Sequence, residues 1–229
     1  MSVALVSGAA RGIGLEVVRT LAADGMTVFL GARDVAAGEA AAAKVEGDVR
    51  VVQLDITSQE SVDACAAVVR EAVGRLDVLV NNGGIILDRG VSPLDVDFEL
   101  VTKTVEVNLY GAWRLTIAVV DLLRAAAPSR VINVSSGMGQ LDDMQAISPG
   151  YRISKVGLNA LTRMLHAELS GDGISVNSIC PGWVLTDMGG DGAYLSIAEG
   201  ADTILWLAQM DVSELPSGGF YKRRERIPW

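Results

Sequence analysis

A tyrosine and a lysine lie four residues apart in the segment YRISK, at Tyr151 and Lys155. The segment follows a Pro-Gly pair and begins a stretch of helical periodicity, so both side chains should face the same side of one helix. A phenol has a free pKa of about 10 and needs a neighbouring cation to take part in proton transfer near pH 7. The pair could form an acid–base device, although a surface helix start is the simpler explanation of these two residues alone.

A glycine-rich segment could supply a partner for such a device. SGAARGIG, from Ser7 to Gly14, follows a short apolar run and begins a helical pattern. The free amides and positive dipole end of a helix attract phosphates. We expect Gly8 to permit a tight turn, Gly12 to let a pyrophosphate approach and Gly14 to let the helix pack on a sheet. Many tight turns contain glycines, but the position after a first strand favours a dinucleotide.

Two arginines indicate which dinucleotide is bound. NAD binders commonly carry an acid at the end of the second strand, where it contacts the ribose 2′-hydroxyl. Here the segment FLGARD places Arg33 after the strand end with no acid before it, and Arg11 lies inside the glycine segment. A planar guanidinium pairs phosphate oxygens bidentately, so the sequence favours NADP(H) over NAD(H). Asp34 keeps NAD(H) open, and two solvated arginines are the simpler alternative.

Short β-branched runs alternate with longer helical patterns along the chain. The predicted strands are 3–7, 27–31, 49–54, 76–81, 130–135, 174–179 and 219–222. The predicted helices are 12–24, 35–45, 58–74, a long pair over 96–125, 150–170 and 196–209. Most strands are near-continuously apolar, as in a parallel sheet covered on both faces. The pattern predicts an α/β fold: one doubly wound Rossmann domain over residues 1–229, with a mostly parallel seven-stranded sheet and helices on both faces.

Composition narrows the class of protein. The chain has 229 residues, half of them apolar, and a net charge of −9. This length allows a large core, and the negative charge disfavours a nucleic-acid partner. The apolar runs are too short for a membrane span or a signal peptide, so we expect a soluble cytoplasmic protein with no membrane partner. Cys65 and Cys180 lack CxxC spacing and should be reduced thiols.

Two other chemistries receive little support from the sequence. NVSSGMG, around Ser136, lacks the glycine that a G-x-S-x-G hydrolase motif carries two places before its serine. His166, the one histidine, falls inside a predicted helix, so a Ser-His triad is not favoured. One histidine and two distant cysteines provide no cluster of ligands, and no metal site is predicted.

Taken together, the motifs resemble the short-chain dehydrogenase/reductase family over nearly the whole chain and in the family's order. SGAARGIG is similar to TGxxxGIG, LDIT carries an acid at Asp55 like the one that contacts adenine, and NNGG at 81–84 is similar to NNAG. EVNLYG places Asn108 at the family's helix asparagine, and INVSS places Ser136 at its serine. YRISK matches YxxxK, and PGWVLT at 181–186 resembles the segment that holds the nicotinamide carboxamide. YxxxK alone would be a weak signal, but seven ordered matches are a strong one.

The resemblance implies roles in hydride transfer between a nicotinamide and a carbonyl. Tyr151 would donate the proton, and Ser136 would hydrogen-bond the carbonyl oxygen. Lys155 would hold the ribose hydroxyls and lower the pKa of Tyr151, and Asn108 would orient Lys155 through a water molecule. The residues expected at the cofactor are Gly8, Arg11, Gly12, Ile13, Gly14, Arg33, Asp55, Ile56, Asn82, Gly83, Tyr151, Lys155, Pro181, Gly182, Val184 and Thr186.

Within the family the pattern is most similar to NADPH-dependent carbonyl reductases, because of Arg11, the ARD after the second strand and the run NSICPGWVLTDM. Three segments, 83–94, 137–149 and 183–195, should line the substrate pocket. Their apolar members include Ile85, Met138, Leu141, Met144, Trp183, Met188 and Tyr194. Asp142 and Asp143 would repel an acid, so we expect a small neutral aldehyde or ketone as substrate.

Alternatives to a carbonyl reductase remain open on the sequence. One is an NAD-dependent alcohol dehydrogenase of the same family, and another is a non-catalytic NADP(H)-sensing or scaffold protein. The resemblance also implies a homo-oligomer, a dimer or tetramer that packs helices 104–125 and 150–170 together, with a monomer as the alternative. The basic run KRRER at 222–226 is explained most simply as a solvated tail, or else as a subunit contact.

Overall fold

The structure is a computed structural model, and it describes residues 2–229. These residues form one eight-stranded sheet in the order β3-β2-β1-β4-β5-β6-β7-β8. The first seven strands are parallel and the last is antiparallel: β1 Val3–Ser7, β2 Thr27–Ala32, β3 Val49–Gln53, β4 Val78–Asn81, β5 Ser129–Val134, β6 Ile174–Ile179, β7 Phe220–Lys222 and β8 Glu225–Arg226. The predicted doubly wound α/β fold is confirmed, with one two-residue strand more than expected.

Helices connect the strands. They are α1 Gly12–Ala23, α2 Val35–Ala42, α3 Gln59–Val73, α4 Phe98–Val105, α5 Ala112–Ala126, α6 Pro149–Leu169 and α7 Ile197–Gln209. A π-helical segment, Glu106–Gly111, joins α4 to α5, so the predicted pair over 96–125 is one uninterrupted helical stretch. The predicted helix ends lie within a few residues of the observed ones.

The core lies on both faces of the sheet. On one face Leu21 of α1 and Leu207 of α7 belong to the same buried cluster as β1 and β2 residues. On the other face Val69 of α3 and Leu115 of α5 pack in a second buried cluster. Every residue of β1, β2, β5 and β6 is buried, as expected for parallel strands covered on both faces, and β5 and β6 also bury polar residues such as Asn133 and Ser178.

A chain of buried polar groups attaches α6 to the sheet. The Asn81 side-chain amide donates to Oδ1 of Asn133 at 2.8 Å, and that of Asn133 donates to Oγ1 of Thr162 at 2.8 Å. Thr162 in turn shares a hydrogen bond of 2.8 Å with Ser178. Because buried polar groups must find partners, these bonds fix how α6 lies against β4, β5 and β6.

The basic run at 222–226 forms a hairpin rather than a solvated tail. Lys222 ends β7, and Glu225 pairs with it across the turn. Arg224 forms an ion pair with Asp202 of α7. Beyond the hairpin, the Trp229 ring stacks on Phe220 with the ring centroids 5.6 Å apart. Within residues 2–229, none of the helices is both long enough and apolar enough to cross a bilayer.

Candidate active site

The motifs that were predicted to carry chemistry meet at the carboxyl edge of the parallel strands. β1 lies between β2 and β4, so the strand order extends from β1 towards β3 on one side and from β4 towards β8 on the other. A crevice opens at such a position because the neighbouring connections run to opposite faces. The glycine loop follows β1, NNGG continues from β4, Ser136 follows β5 and PGWVLT follows β6.

The glycine loop packs directly against the segment after β4. Gly8 has a φ of +62°, and a Cβ added there would lie 2.9 Å from Cα of Gly83. A Cβ on Gly14 would lie 2.5 Å from Nδ2 of Asn82. Gly83, where the family has alanine, leaves room for Ile56, whose Cδ1 would lie 2.9 Å from an added Cβ. Glycine is therefore required here for close approach as well as for the turn.

Ser7 and Asn82 join these two loops by hydrogen bonds in both directions. The Ser7 hydroxyl accepts from the backbone amides of Asn82 and Gly83, both at 3.0 Å. The side-chain amide of Asn82 donates to the carbonyl oxygens of Ser7 and Gly8, also at 3.0 Å. The loop is thus held in its left-handed turn before any ligand arrives.

The start of α1 has the features that bind a pyrophosphate. Among the described residues no side chain caps its first amides, and the first turn contains no acid. Gly12 has a φ of +57°, and a Cβ added there would lie 3.4 Å from Cγ2 of Thr186, across a narrow cleft. Free helix amides at a glycine turn fit the diphosphate of a dinucleotide, which is the group that the sequence predicts.

Both predicted phosphate-binding arginines are exposed near this cleft. Arg11 forms an ion pair with Asp187 across it, and the two side chains are 79% and 73% exposed. Such a pair is weak and can exchange partners. The pKa of Asp55 is lowered first by hydrogen bonds from Thr57 and also by the charge of Arg33. Arg33 therefore lies on the side of the crevice where Asp55 is expected to meet adenine.

Tyr151 and Ser136 meet although they lie on different elements. Tyr151 is in the first turn of α6 and only 8% exposed. Burial raises the pKa of Tyr151 to about 12, opposed by a hydrogen bond from Ser136 and by the charge of Arg89. The resemblance implies a lowered pKa, but burial outweighs the neighbouring cations in the protein alone. Tyr151 therefore keeps its proton at neutral pH.

Lys155 lies one helical turn beyond Tyr151 and is almost completely buried. Its Nζ atom lies 5.7 Å from the centroid of the Tyr151 ring and donates to the carbonyl oxygen of Val134 at 2.8 Å. Burial lowers the pKa of Lys155 to about 8, while the Cys180 side chain acts to raise it. At pH 7 the ammonium is still mostly charged, so a cation lies beneath the phenol.

Asn108 lies in the π-helical segment Glu106–Gly111, a feature that often marks functional positions. Its Oδ1 accepts from the amide of Ile85, and its Nδ2 donates to the carbonyl oxygen of the same residue, both at 2.8 Å. Nδ2 also donates to Oγ of Ser154 at 3.0 Å. Asn108 thus fastens the segment after β4 to α6.

The two predicted relay residues approach each other beside Gly84. A Cβ on Gly84 would lie 3.3 Å from Oδ1 of Asn108 and 3.6 Å from Nζ of Lys155. The link between them through a water molecule stays a prediction, while the direct contacts of Asn108 with Ile85 and Ser154 were not foreseen.

The chain matches one protein-family model, described as short chain dehydrogenase, over residues 2–193. This match covers most of the chain and contains the glycine loop, Asn108, Ser136, Tyr151 and Lys155. The chain belongs to the short chain dehydrogenase family. It is therefore an oxidoreductase, and the family predicted from the motifs is confirmed.

Curated relatives and solved structures resemble this short chain dehydrogenase along its whole length. A (+)-neomenthol dehydrogenase of Arabidopsis thaliana is 32% identical, over 97% of this chain and 96% of its own. Carbonyl reductase (NADPH) 1 of Pongo abelii is 32% identical, over 100% of this chain and 99% of its own. An NADPH-bound carbonyl reductase from chicken fatty liver has a TM-score of 0.87 at 26% identity and covers 100% of both chains.

The PGWVLT segment of this short chain dehydrogenase lies over the glycine loop. Gly182 has a φ of +83°, and a Cβ there would lie 2.4 Å from Cδ1 of Leu195. Val184 turns its buried side chain towards α7, where a Cβ on Gly200 would lie 2.5 Å from its Cγ2. Thr186 is the member that faces Gly12. The predicted contact of Val184 with a cofactor would therefore have to come from its backbone.

Sequence reasoning missed Arg152, although it lies within YRISK. Its side chain is almost fully buried, and Nε donates to the carbonyl oxygen of Ile147 at 2.9 Å. Nη1 donates to the carbonyl oxygens of Met138 and Asp143, both at 3.4 Å. Arg152 therefore anchors the segment 137–149, and no sequence motif could signal this because its acceptors are loop carbonyls.

Cys180 and Arg89 are two further residues near Tyr151 to which the sequence assigned no role in the site. The Cys180 sulfur accepts a hydrogen bond from the amide of Gly137 at 3.0 Å, which fixes the loop after Ser136. Arg89 donates from Nη2 to the carbonyl oxygen of Met188 and so connects the segments 83–94 and 183–195. Both lie close enough to Tyr151 to affect its pKa.

The predicted substrate segments present an apolar surface beside the site. Leu141, Met144, Trp183, Met188 and Tyr194 are exposed. The rings of Trp183 and Tyr194 meet edge to face with centroids 6.1 Å apart, and Nε1 of Trp183 donates to the carbonyl oxygen of Gly189 at 2.9 Å. These contacts order a wall on which an apolar substrate could pack.

His166 has a structural partner instead of a catalytic one. Its Nδ1 shares a hydrogen bond of 2.7 Å with Oγ of Ser217, which also accepts from the amide of Val176 at 3.1 Å. The histidine therefore holds the chain that leads into β7, in agreement with a structural role.

Proposed function

We propose that this short chain dehydrogenase reduces a neutral aldehyde or ketone with NADPH, and that Tyr151 donates the proton. The observation that carries the proposal is a buried, neutral tyrosine beside Ser136, with the Lys155 ammonium one turn away. NADPH, when bound, supplies the hydride.

The side chains of this site suit a reduction. A carbonyl oxygen gains negative charge as it is reduced, and the Ser136 and Tyr151 hydroxyls can both donate to it. A phenol with a pKa of about 12 is fully protonated at pH 7 and can act as the acid. The Lys155 ammonium then favours the phenolate that remains after transfer.

The preference for NADPH rests on Arg11 and Arg33. Both guanidinium groups are exposed beside the crevice, and the weak ion pair of Arg11 with Asp187 could give way to a 2′-phosphate. The names of the carbonyl reductase relatives and of the NADPH-bound structural neighbour support the same preference. Asp34, the acid that could have indicated NAD(H), instead caps α2, because its side chain accepts from the amide of Ala37 at 3.2 Å.

A neutral substrate suits the charges around the site. Asp142 and Asp143 are exposed on the segment 137–149 and would repel a carboxylate. Arg89 is engaged with the carbonyl oxygen of Met188, and Arg152 is buried among loop carbonyls. The apolar wall of Trp183 and Tyr194 favours an uncharged carbonyl compound of modest size.

A substrate panel tests the proposal. Neutral aldehydes, neutral ketones and 2-oxo acids are each offered with NADPH or NADH, and cofactor oxidation is followed by absorbance. We expect turnover of neutral compounds with NADPH, at least tenfold faster in kcat/KM than with NADH. An NADH preference would support the alcohol dehydrogenase alternative, and faster reduction of 2-oxo acids would contradict the neutral substrate.

The non-catalytic alternative predicts NADPH binding without turnover of any compound in the panel. Its usual sign is loss of the serine, tyrosine or lysine, and Ser136, Tyr151 and Lys155 are all present. Measurement of the Kd for NADPH, together with NADPH oxidation in the presence of the panel compounds, then separates a sensor from an enzyme.

Self-association stays a prediction, and the structure offers a surface on which to test it. Tyr110, Trp113 and Ile117 are exposed with helical spacing on the stretch from α4 to α5, and Ile153 is exposed on the neighbouring α6. Exposed apolar patches on packed helices commonly mark contacts between subunits. Ile117→Glu should lower the sedimenting mass if these helices form the interface.

A further inference from the structure

Each backbone N–H in the first turn of α6 has a hydrogen-bond acceptor. Pro149 has no N–H, and the amide of Arg152 donates to the carbonyl oxygen of Ser148 at 3.0 Å. The amide of Gly150 donates to Oδ2 of Asp88 at 2.5 Å, and that of Tyr151 donates to Oδ1 at 3.4 Å. A single carboxylate therefore satisfies the two amides that would otherwise remain without a partner.

This cap comes from a distant part of the chain. Asp88 lies 62 residues before Gly150, in the segment after β4. The position where a cap normally lies is occupied by Ser148, whose side chain, within the part of the chain that the structure describes, does not bond the helix amides. The cap of α6 is thus a tertiary contact, unlike the local cap that Asp97 provides for α4 by accepting from Glu99 at 2.8 Å.

Asp88 is buried, with 1% of its surface exposed, and no arginine or lysine of residues 2–229 forms an ion pair with it. A buried carboxylate is costly unless hydrogen bonds and favourable charge compensate for the lost water. The two amides and the positive end of the α6 dipole supply that compensation. The carboxylate and the start of the helix therefore stabilise each other.

Further contacts hold the same two segments together. The amide of Gly90 donates to Oγ of Ser148 at 3.1 Å, and the amide of Ser148 donates to the carbonyl oxygen of Val91 at 2.8 Å. A Cβ on Gly150 would lie 3.1 Å from both Oδ2 of Asp88 and Cα of Val101. Glycine thus allows the carboxylate to reach the helix, and the segment 88–91 can shift only together with the start of α6.

The backbone of Tyr151 is consequently fixed on two sides. Its amide is bonded to Asp88, and its carbonyl oxygen accepts from Oγ of Ser154 at 2.7 Å, which in turn is held by Asn108. The side chain carried by this backbone must meet Ser136, which lies on a different loop. A misplacement of about 1 Å can cost about 10²-fold in rate, so the position of this backbone matters for catalysis.

We propose that Asp88 is a positioning residue of the active site, which acts through the first turn of α6 to set the hydroxyl of Tyr151 beside Ser136. The effect on turnover rests on the proposed function, whereas the cap itself does not. Asp88 acts on the acid–base residue and leaves the glycine loop unchanged. Its loss should therefore lower kcat without weakening cofactor binding.

The test compares Asp88→Ala and Asp88→Asn with Asp97→Asn, which weakens the local carboxylate cap of α4. We expect kcat to fall about 50-fold in Asp88→Ala and about tenfold in Asp88→Asn, because asparagine keeps one acceptor oxygen. The Kd for NADPH should change less than twofold in both. Asp97→Asn should lose comparable thermal stability and keep its kcat. Equal kcat in the folded Asp88 variants and wild type would overturn the proposal.

Hydrogen exchange measured by NMR provides a readout that does not depend on turnover. In the wild type the amides of Gly150 and Tyr151 should be protected, and Asp88→Asn should speed their exchange at least tenfold while Asp97→Asn leaves it unchanged. Unprotected amides in the wild type would overturn the proposal even if Asp88→Ala fails to fold. Protected amides in a protein that reduces no carbonyl compound would instead reject the proposed function and leave the cap established.

Discussion

Two helices begin at the same edge of the sheet, and they differ in whether a side chain accepts hydrogen bonds from their first backbone amides. The start of α1 is open, since among the described residues no side chain caps its amides and its glycines leave a cleft. The start of α6 is closed, since the carboxylate of Asp88 occupies two of its amides. The open end has the geometry for a phosphate, while the closed end carries the side chains predicted to move a proton.

What a helix N-terminus can bind depends on whether its first backbone amides already have an acceptor within the protein. Both ends have the same dipole and would attract an anion. At α1 the anion must come from solution, whereas at α6 the protein provides its own. The closed end can therefore be buried together with Tyr151 and Lys155, and burial is the main cause of the pKa shifts of both residues.

Removal of the buried Lys155 ammonium should give the largest change in protein stability among these variants. The pKa of Lys155 is about 8 in the folded protein, against 10.5 for the free side chain. Between these values the folded state binds fewer protons than the unfolded state, so this residue's contribution to stability rises with pH. The free energy of unfolding of Lys155→Met, relative to that of wild type, should therefore be most favourable at pH 7.5. This difference should shrink by about 3 kcal/mol by pH 10.5.

Urea unfolding of both proteins at pH 7.5, 9 and 10.5 measures that change. Lys103→Met is the matched control for loss of a lysine, because the Lys103 side chain is 63% exposed. If the curves for wild type and Lys155→Met run parallel, the ammonium is not buried as described and the contrast between the two helix ends is lost.

Arg33→Ala tests whether Arg33 binds the 2′-phosphate of NADPH near the open end of α1. A charged hydrogen bond to phosphate is worth about 1.5–3 kcal/mol, so the Kd for NADPH should rise about 30-fold. The Kd for NADH should change less than twofold because it has no 2′-phosphate. Calorimetric titration of both cofactors checks this, with Arg70→Ala on α3 as a control for net charge. Equal losses for the two cofactors would contradict the role of Arg33.

Gly12→Ala tests whether the open end must stay open. The φ of +57° disfavours a side chain by about 1–2 kcal/mol, and the new Cβ would lie 3.4 Å from Thr186 in the cleft. We expect the Kd for NADPH to rise about tenfold. Gly25→Ala is the matched control, because Gly25 has a φ of +83° with nothing within 4 Å of an added Cβ. It should lose similar stability and bind NADPH normally.

The two helix ends also differ in how far the sequence predicts them. The end of α1 is local: strand, glycines and helix follow one another from Ser7 to Gly14, and the loop lies where the motif indicates. The end of α6 depends on Asp88 and on the loop carbonyls bound by Arg152, which come from other segments. Sequence patterns describe neighbours along the chain, so contacts of this kind were missed.

Some strands and helical turns were also predicted from the sequence while others were missed. Buried strands such as Val3–Ser7 and Ile174–Ile179 were predicted with the bounds observed, because β-branched residues recur in both segments. The strand Glu225–Arg226 was missed, since two exposed charged residues have no strand pattern. The π-helical turn around Asn108 was also missed, because the prediction placed only α-helix over 96–125.

We expect Tyr151 to donate the proton while the diphosphate of the cofactor lies at the open end of α1 and its nicotinamide lies beside Tyr151. Single-turnover reduction of a neutral ketone by bound NADPH, in wild type and Tyr151→Phe, tests it most directly. We expect a fall of about 10³-fold in the rate of hydride transfer, while the Kd for NADPH changes less than about threefold. A rate within threefold of wild type would contradict it.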